Sequence, residues 1–223
     1  VLEASVSPLV SAEDLERELA RLVADEPGGA AAIVRRFHKE HLLRIGFHDL
    51  AGVLETADVG AQLTELAEVI LRRFLADAVE RMGGEGSPPV TVLALGRLAG
   101  REVTYRSRLE LLFVHGGGAD SQAAQAARIA RRVVTALSSA TPEGALYELS
   151  GWRPGRGADG TLVVPVERLE ATEGPEAMAL SAAIAGSRPI VSHPSLVDAL
   201  QRVRDRAVPS TLAADPAEDP TAP

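Results

Sequence analysis

Seven residues, Gly83-Gly84-Glu85-Gly86-Ser87-Pro88-Pro89, divide the chain into two parts with different hydrophobic periods. Three glycines and two prolines in seven positions sustain neither a helix nor a strand, since proline lacks the amide proton and glycine loses the most conformational freedom on ordering. Everything before the break repeats at helical spacing. Ser11 stands as an N-cap with Asp14 in the first turn, and Leu15, Leu19, Leu22 and Val23 follow until Pro27-Gly28-Gly29. A second helix starts near Ala30 and carries Ile33, Phe37, Leu42, Ile45 and Leu50. A third runs from about Gly60 to Met82, with Leu63, Leu66, Ile70, Phe74 and Val79 on one stripe.

After the break the pattern shortens. Val90-Thr91-Val92-Leu93-Ala94-Leu95 is apolar, β-branched at its start and runs straight into Gly96, as a buried strand does. Leu109–Val114 is a second strand, followed by a helix from Asp120 to Leu137. Leu146–Leu149 and Thr161–Val164 are two further strands around a glycine-rich turn at 154–160. Shorter helices are expected from Glu176 to Ala185 and from Pro194 to Arg206. The pattern predicts an α+β chain in three parts: a helical segment over 1–86, a mixed sheet with helices over 87–207, and a disordered tail over 208–223, rich in Pro, Ala and Asp.

Composition narrows the partners. A formal net charge of −8 argues against nucleic-acid backbone binding, while leaving room for one local basic patch. The absence of cysteine excludes disulfides, thiolate zinc sites and a cysteine nucleophile. No apolar run reaches the roughly 18–20 residues that span a bilayer, and no signal peptide opens the chain, so the expected location is the cytoplasm. The start at Val1 reads as a piece processed or excised from something longer.

The stretch from Ala94 to Phe113, A-L-G-R-L-A-G-R-E-V-T-Y-R-S-R-L-E-L-L-F, joins a strand, a glycine turn and a strand with an acidic residue between apolar ones. Such a turn lets backbone approach a polyphosphate, and the following strand presents carboxylates to metal ions. The wording resembles the glutamine synthetase adenylyltransferase/adenylyl-removing family, whose motif runs close to G-M-G-K-L-G-G-R-E-L-N-Y-S-S-D-I-D-L-I-F. Gly96, Leu98, Gly100, Arg101, Glu102, Tyr105, Ser107, Leu111 and Phe113 match it. Thr141-Pro142-Glu143-Gly144-Ala145-Leu146-Tyr147-Glu148-Leu149 resembles the family's T-x-E-G-x-L-Y-E-V-D, and Ser187-Arg188-Pro189-Ile190-Val191 a later piece. The ordered matches cover about residues 30–205.

The resemblance implies a polymerase-β-like nucleotidyltransferase fold, with ATP and Mg2+ as cofactors and AMP transfer to, or phosphorolytic removal from, a tyrosine of glutamine synthetase. It implies two such halves per whole enzyme, of which this chain is one. Gly96, Arg97, Gly100, Arg101 and Ser107 are the implied nucleotide-binding residues. Three family aspartates that hold two magnesium ions correspond to Arg108, Glu110 and Ser150 here, so Glu110 is the sole acidic catalytic and metal position retained. Arg108 and Glu110 are expected on one strand face, pairing with each other; in the alternative, Arg108 joins Arg97 or Arg101 in binding phosphate without metal. Glu148, two residues before Ser150, shares its face and offers a partial substitute carboxylate. Ala94 and Ala99 replace family turn glycines, Gly151-Trp152-Arg153-Pro154 replaces M-R-L-R-P, and Glu176–Ser181 lacks the family's tryptophan.

These losses point to a structural or regulatory half controlling glutamine synthetase, with glutamine synthetase or a second nucleotidyltransferase half as partner. The alternative is a working adenylyltransferase or deadenylylase with an altered metal site; a third possibility is an interaction module that binds no nucleotide. His38 and His41, three apart on the second helix and close to His48, form either a metal pair or a solvated basic face beside Lys39 and Arg44. Trp152 is a base-stacking or packing residue, and no hydrolase motif is present.

Overall fold

The computed structural model describes residues 9–25, 30–83, 86–118, 120–140, 144–151, 163–170 and 175–212, the last segment by backbone alone at 175–179 and 207–212. Three helices come first: α1 (Ala12–Asp25), α2 (Ala30–Leu50) and α3 (Thr56–Arg81). The Ser11 cap forms as expected, its hydroxyl accepting the Asp14 amide proton at 3.1 Å and donating to the Asp14 carboxylate at 2.7 Å. Then follow β1 (Val90–Leu95), α4 (Gly96–Ala99), β2 (Leu109–His115), α5 (Asp120–Ser138), β3 (Leu149–Gly151), β4 (Val163–Pro165), α6 (Val166–Glu170), α7 (Pro175–Ala185), β5 (Arg188–Val191), a 3₁₀ turn at Pro194–Leu196 and α8 (Val197–Leu212).

The strands form one mixed sheet. β1 lies antiparallel to β2 on one side and to β5 on the other. The far edge of β2 is shared by two short parallel strands: β3 pairs with residues 109–111 and β4 with residues 113–115. Alternation along β1 and β2 divides the core into two layers. Val92, Ala94, Leu109, Leu111 and Phe113 face α1, α2, α3 and α5; Leu93, Leu95, Leu112 and Val114 face α6, α7 and α8. The sheet is therefore covered by helices on both faces, in a mixed α/β chain compatible with the expected α+β class. The helices that precede the Gly-Pro break share one continuous core with the strands that follow it.

Several elements differ from their sequence expectations. The strand expected at 146–149 sits at 149–151, because Leu146 and Tyr147 donate their amides to the Leu137 carbonyl at the end of α5 and are held off the sheet. The last helix opens as a 3₁₀ turn at Pro194 and continues to Leu212 rather than ending at Arg206. Three short elements carry no period to read: α4, α6, and β5, whose Pro189 suits an edge strand. Residues 152–162, which include Trp152 and the expected glycine-rich turn, and 213–223 of the expected tail lie outside the described residues.

The second helix turns differently from its reading. His38 and His41 are not on a solvated face; both are buried, His38 edge-on to Tyr147 at 5.0 Å and His41 tilted against Phe37 at 4.4 Å. Leu50, expected inward, is exposed, as are Leu43 and Phe47. Burial, with Arg35 and Lys39 adding repulsion, holds the His38 imidazole down at about 4. A neutral buried histidine binds fewer protons than its unfolded counterpart, so its contribution is complete above the unfolded value of 6.5 and is lost as pH falls toward 4. Unfolding free energies from urea denaturation between pH 7 and 4 are expected to fall across this window, by about 2–3 kcal/mol from His38, and His38→Gln is expected to flatten that part of the profile.

Candidate functional site

The site is built where three strand ends align. Leu95, the last residue of β1, pairs with Glu110 near the start of β2, and Glu110 pairs with Ser150 in the centre of β3. Registered neighbours on adjacent strands lie about 4.8 Å apart with side chains on one face, so Ser150 stands beside Glu110. Glu110 is exposed at the margin of the layer that Leu112 and Val114 bury.

Gly96 follows immediately at φ +51, in the left-handed region. A β-carbon there would lie 3.0 to 3.1 Å from the carboxylate of Glu110, so the acid lies flat across the turn. The turn itself is the single helical turn α4. It closes as a Schellman motif, with the Glu102 amide bonding the Arg97 carbonyl at 2.9 Å and the Arg101 amide the Leu98 carbonyl at 3.4 Å. The left-handed closing residue of that motif is usually glycine. Here it is Arg101, at φ +59, while Gly100 is in ordinary right-handed conformation. Opposite, Gly60 of α3 lets the 101–103 backbone approach: a β-carbon at Gly60 would come within 3.2 Å of the Arg101 carbonyl oxygen.

A residue that the sequence did not single out anchors the turn. Arg188 of β5 donates to the carbonyls of Leu98 at 2.9 Å and Ala99 at 3.2 Å, and pairs with the buried carboxylate of Glu68 on α3. These carbonyls lie at the end of α4, where that of Leu98 also takes the Arg101 amide, and the guanidinium fork bonds both together with the acid. Only the S-R-P-I-V resemblance pointed at this position, and it indicated no partner.

The other expected residues separate. Arg108 precedes β2 and so escapes strand geometry; its Nε bonds Glu148 at 2.9 Å, not Glu110, which corrects the expected pairing. Arg101 reaches Glu65 of α3 at 2.5 Å. Ser107 bonds the backbone amide of Thr104 at 2.9 Å and so shapes its own loop. Arg97 is exposed. A pocket of about 700 Å³ opens beside the Arg108–Glu148 pair, bounded by residues 103–108, 145–148, Leu63 and His38. Tyr105 at its rim donates to Asp49 at 2.9 Å, and burial with this bond pushes its phenol up to about 12.

Hard divalent cations take several oxygen ligands, carboxylates foremost. The three positions supply one carboxylate, one hydroxyl and a guanidinium already held by Glu148, so they do not fit the two-magnesium centre that the resemblance implies. Among the described residues no group of three or more His, Asp or Glu is placed to hold a metal ion. No helix among them is long and apolar enough to cross a membrane.

The site is thus a glycine turn joining two antiparallel central strands, with an acid of the second laid against it. The family model described as glutamate-ammonia ligase adenylyltransferase matches residues 3–179, and the chain belongs to that family. The bifunctional glutamine synthetase adenylyltransferase/adenylyl-removing enzyme of Methylococcus capsulatus is 32% identical over 190 residues, 74% of this chain and 20% of its own. The enzymes of that name from Nitrosococcus oceani and Thioalkalivibrio sulfidiphilus are 32% and 26% identical, over 68% and 87% of this chain and 18% and 22% of their own. The chain thus spans about a fifth of the length of these curated relatives.

Gly96→Ala is expected to destabilise by about 1–2 kcal/mol, from the left-handed backbone and the displaced Glu110 carboxylate. In a Glu110→Ala background the clash is relieved and the backbone part, about 1 kcal/mol, is expected to remain in urea unfolding. Arg188→Met is expected to cost about 2–4 kcal/mol by the same measurement, because it takes from a buried acid its nearer cation and from two helix-end carbonyls a side-chain donor.

Proposed function

We propose that this chain is a nucleotidyltransferase-like half of polymerase-β-like fold that no longer turns over, and that it serves a structural or regulatory role in the control of glutamine synthetase in the cytoplasm. In this proposal residues 87–207 are the nucleotidyltransferase-like part and 1–86 its helical support. The observation that carries it is the row Leu95–Glu110–Ser150 with Arg108 tied to Glu148: one free carboxylate stands where adenylyl transfer needs a cluster. Transfer of this type proceeds almost wholly through positioning and electrostatic stabilisation of the phosphoryl oxygens by metal ions, so loss of the metal ligands removes its main source of rate.

A supporting observation concerns the partner. Leu43, Phe47 and Leu50 fall at helical spacing along α2, and with Val53 each is more than half exposed. Such an apolar stripe is the kind of surface that packs against another protein element, here a second nucleotidyltransferase half or glutamine synthetase itself. Gly96, Arg97 and Gly100 are the turn positions that would approach a bound nucleotide, with Arg101 and Ser107 shaping the turn and its loop. ATP and Mg2+ are the cofactors of an active domain of this kind; Glu110 alone is a weak anchor for the metal.

Calorimetry with ATP in the presence and absence of magnesium tests this directly, on the native chain and on Arg108→Asp/Ser150→Asp. The native chain is expected to show no magnesium-dependent binding, and the double variant to acquire it. Magnesium-dependent binding by the native chain would overturn the proposal in favour of a working adenylyltransferase or deadenylylase.

A further inference from the structure

Away from the glycine turn, a groove of about 660 Å³ lies between the start of α2, the second half of α3 and α5. Along α3 the turn is held near Glu65 and Glu68, whereas the groove is bordered by Arg81, the last residue of that helix. On α3 the groove begins at Phe74, six residues or about 9 Å beyond Glu68, and its lining includes none of the residues that form or hold the turn, so the groove is separate from the site described above.

Its walls are unusual for this molecule. Arg128, Arg131 and Arg132 project from the exposed face of α5, whose other face buries Ala126, Ile129, Ala130 and Val133 in the core, and Arg81 joins them from α3. Several arginines elsewhere are neutralised: Arg17, Arg72, Arg101, Arg108, Arg188 and Arg202 each meet an acid. The four groove arginines meet none among the described residues. The one acid in the lining, Asp77, is taken at 2.7 Å by Arg73. A chain of net charge −8 thus gathers four open guanidinium groups around one concavity. The floor is apolar, with Phe74 at its base.

We infer that this groove binds a small polyphosphate ester, a molecule with at least two phosphate groups on an apolar or aromatic body, without a metal ion. The guanidinium fork matches phosphate oxygens in paired hydrogen bonds, and several forks around one cavity favour a multiply charged anion over a single carboxylate. The volume falls in the range of small-ligand sites, and the apolar floor accommodates a body that a bare inorganic anion lacks. This inference stands independently of the proposal that the chain is catalytically silent.

The test titrates the native chain with ADP, inorganic pyrophosphate and a glutamate-rich peptide by calorimetry, at physiological salt with magnesium chelated. Saturable binding of ADP is expected, tighter than that of pyrophosphate. Arg128→Gln/Arg131→Gln/Arg132→Gln, with Arg81→Gln as a separate single variant, is expected to weaken ADP by at least about tenfold while leaving the melting temperature near native, since these side chains are exposed. Arg97→Gln/Arg101→Gln at the glycine turn, and Arg108→Asp/Ser150→Asp, are expected to retain magnesium-free ADP binding, which separates this groove from the nucleotidyltransferase-like site. Absence of saturable ADP binding, an affinity unchanged in the α5 triple variant, or equal affinity for ADP and pyrophosphate would each overturn the inference. Tighter binding of the glutamate-rich peptide would replace the small ligand with a polypeptide partner.

Discussion

The carboxylate of Glu68 is the constraint around which the other elements are set. It sits near the middle of α3, only 5% exposed, and a buried acid without partners is far costlier than a surface one. Arg188 from β5 meets it on one side and Arg72, on the same helix, approaches at 3.5 Å. Arg72 extends the chain of charges to Glu16 on α1, and Arg188 extends it to the Leu98 and Ala99 carbonyls at the end of α4. One connected set of charges therefore fixes the first helix, the long third helix, the edge strand and the glycine turn relative to one another. The helical layer acts here as the wall against which the turn is positioned.

That wall also redistributes charge around the turn. Arg101 is drawn to Glu65 and Arg108 to Glu148, and Glu110 keeps a free carboxylate although three arginines, Arg106 among them, lie within nine residues of it along the chain. Strand alternation put Arg108 on one face with Glu110, and that placement of Arg108 fails. The strand begins only at Leu109, and a side chain ahead of it is free to swing to the acid of the neighbouring segment. The pairing of Arg108 with Glu148 follows from the parallel register that sets Leu109 opposite Leu149.

Legibility varied with element length. The three N-terminal helices, α5 and the two central strands were readable because each repeats its period several times: Leu15, Leu19 and Val23 fall on one buried face, and so do Ile129, Val133 and Leu137. β5 and α4 were not readable, since four residues complete barely one helical period or two of a strand. His38 and His41 were misread for a different reason. Their neighbours Lys39, Glu40 and Arg44 suggested water, but the helix rotates them toward Tyr147, Phe37 and Glu18.

By itself the sequence determined the order of helices and central strands, the break between them, the glycine turn after β1, and the chemical identities at positions 108, 110 and 150. These are local properties, set by period, by backbone freedom and by which side chain occupies a position. Only the tertiary structure decided that Ser150 lies beside Glu110, that Glu148 captures Arg108, that Arg188 clamps the turn through Glu68, and that the arginines of α5 and α3 border one groove. Each of these joins residues distant along the chain or on different elements. Side-chain periodicity states which face a residue occupies, whereas packing and register alone state what that face meets.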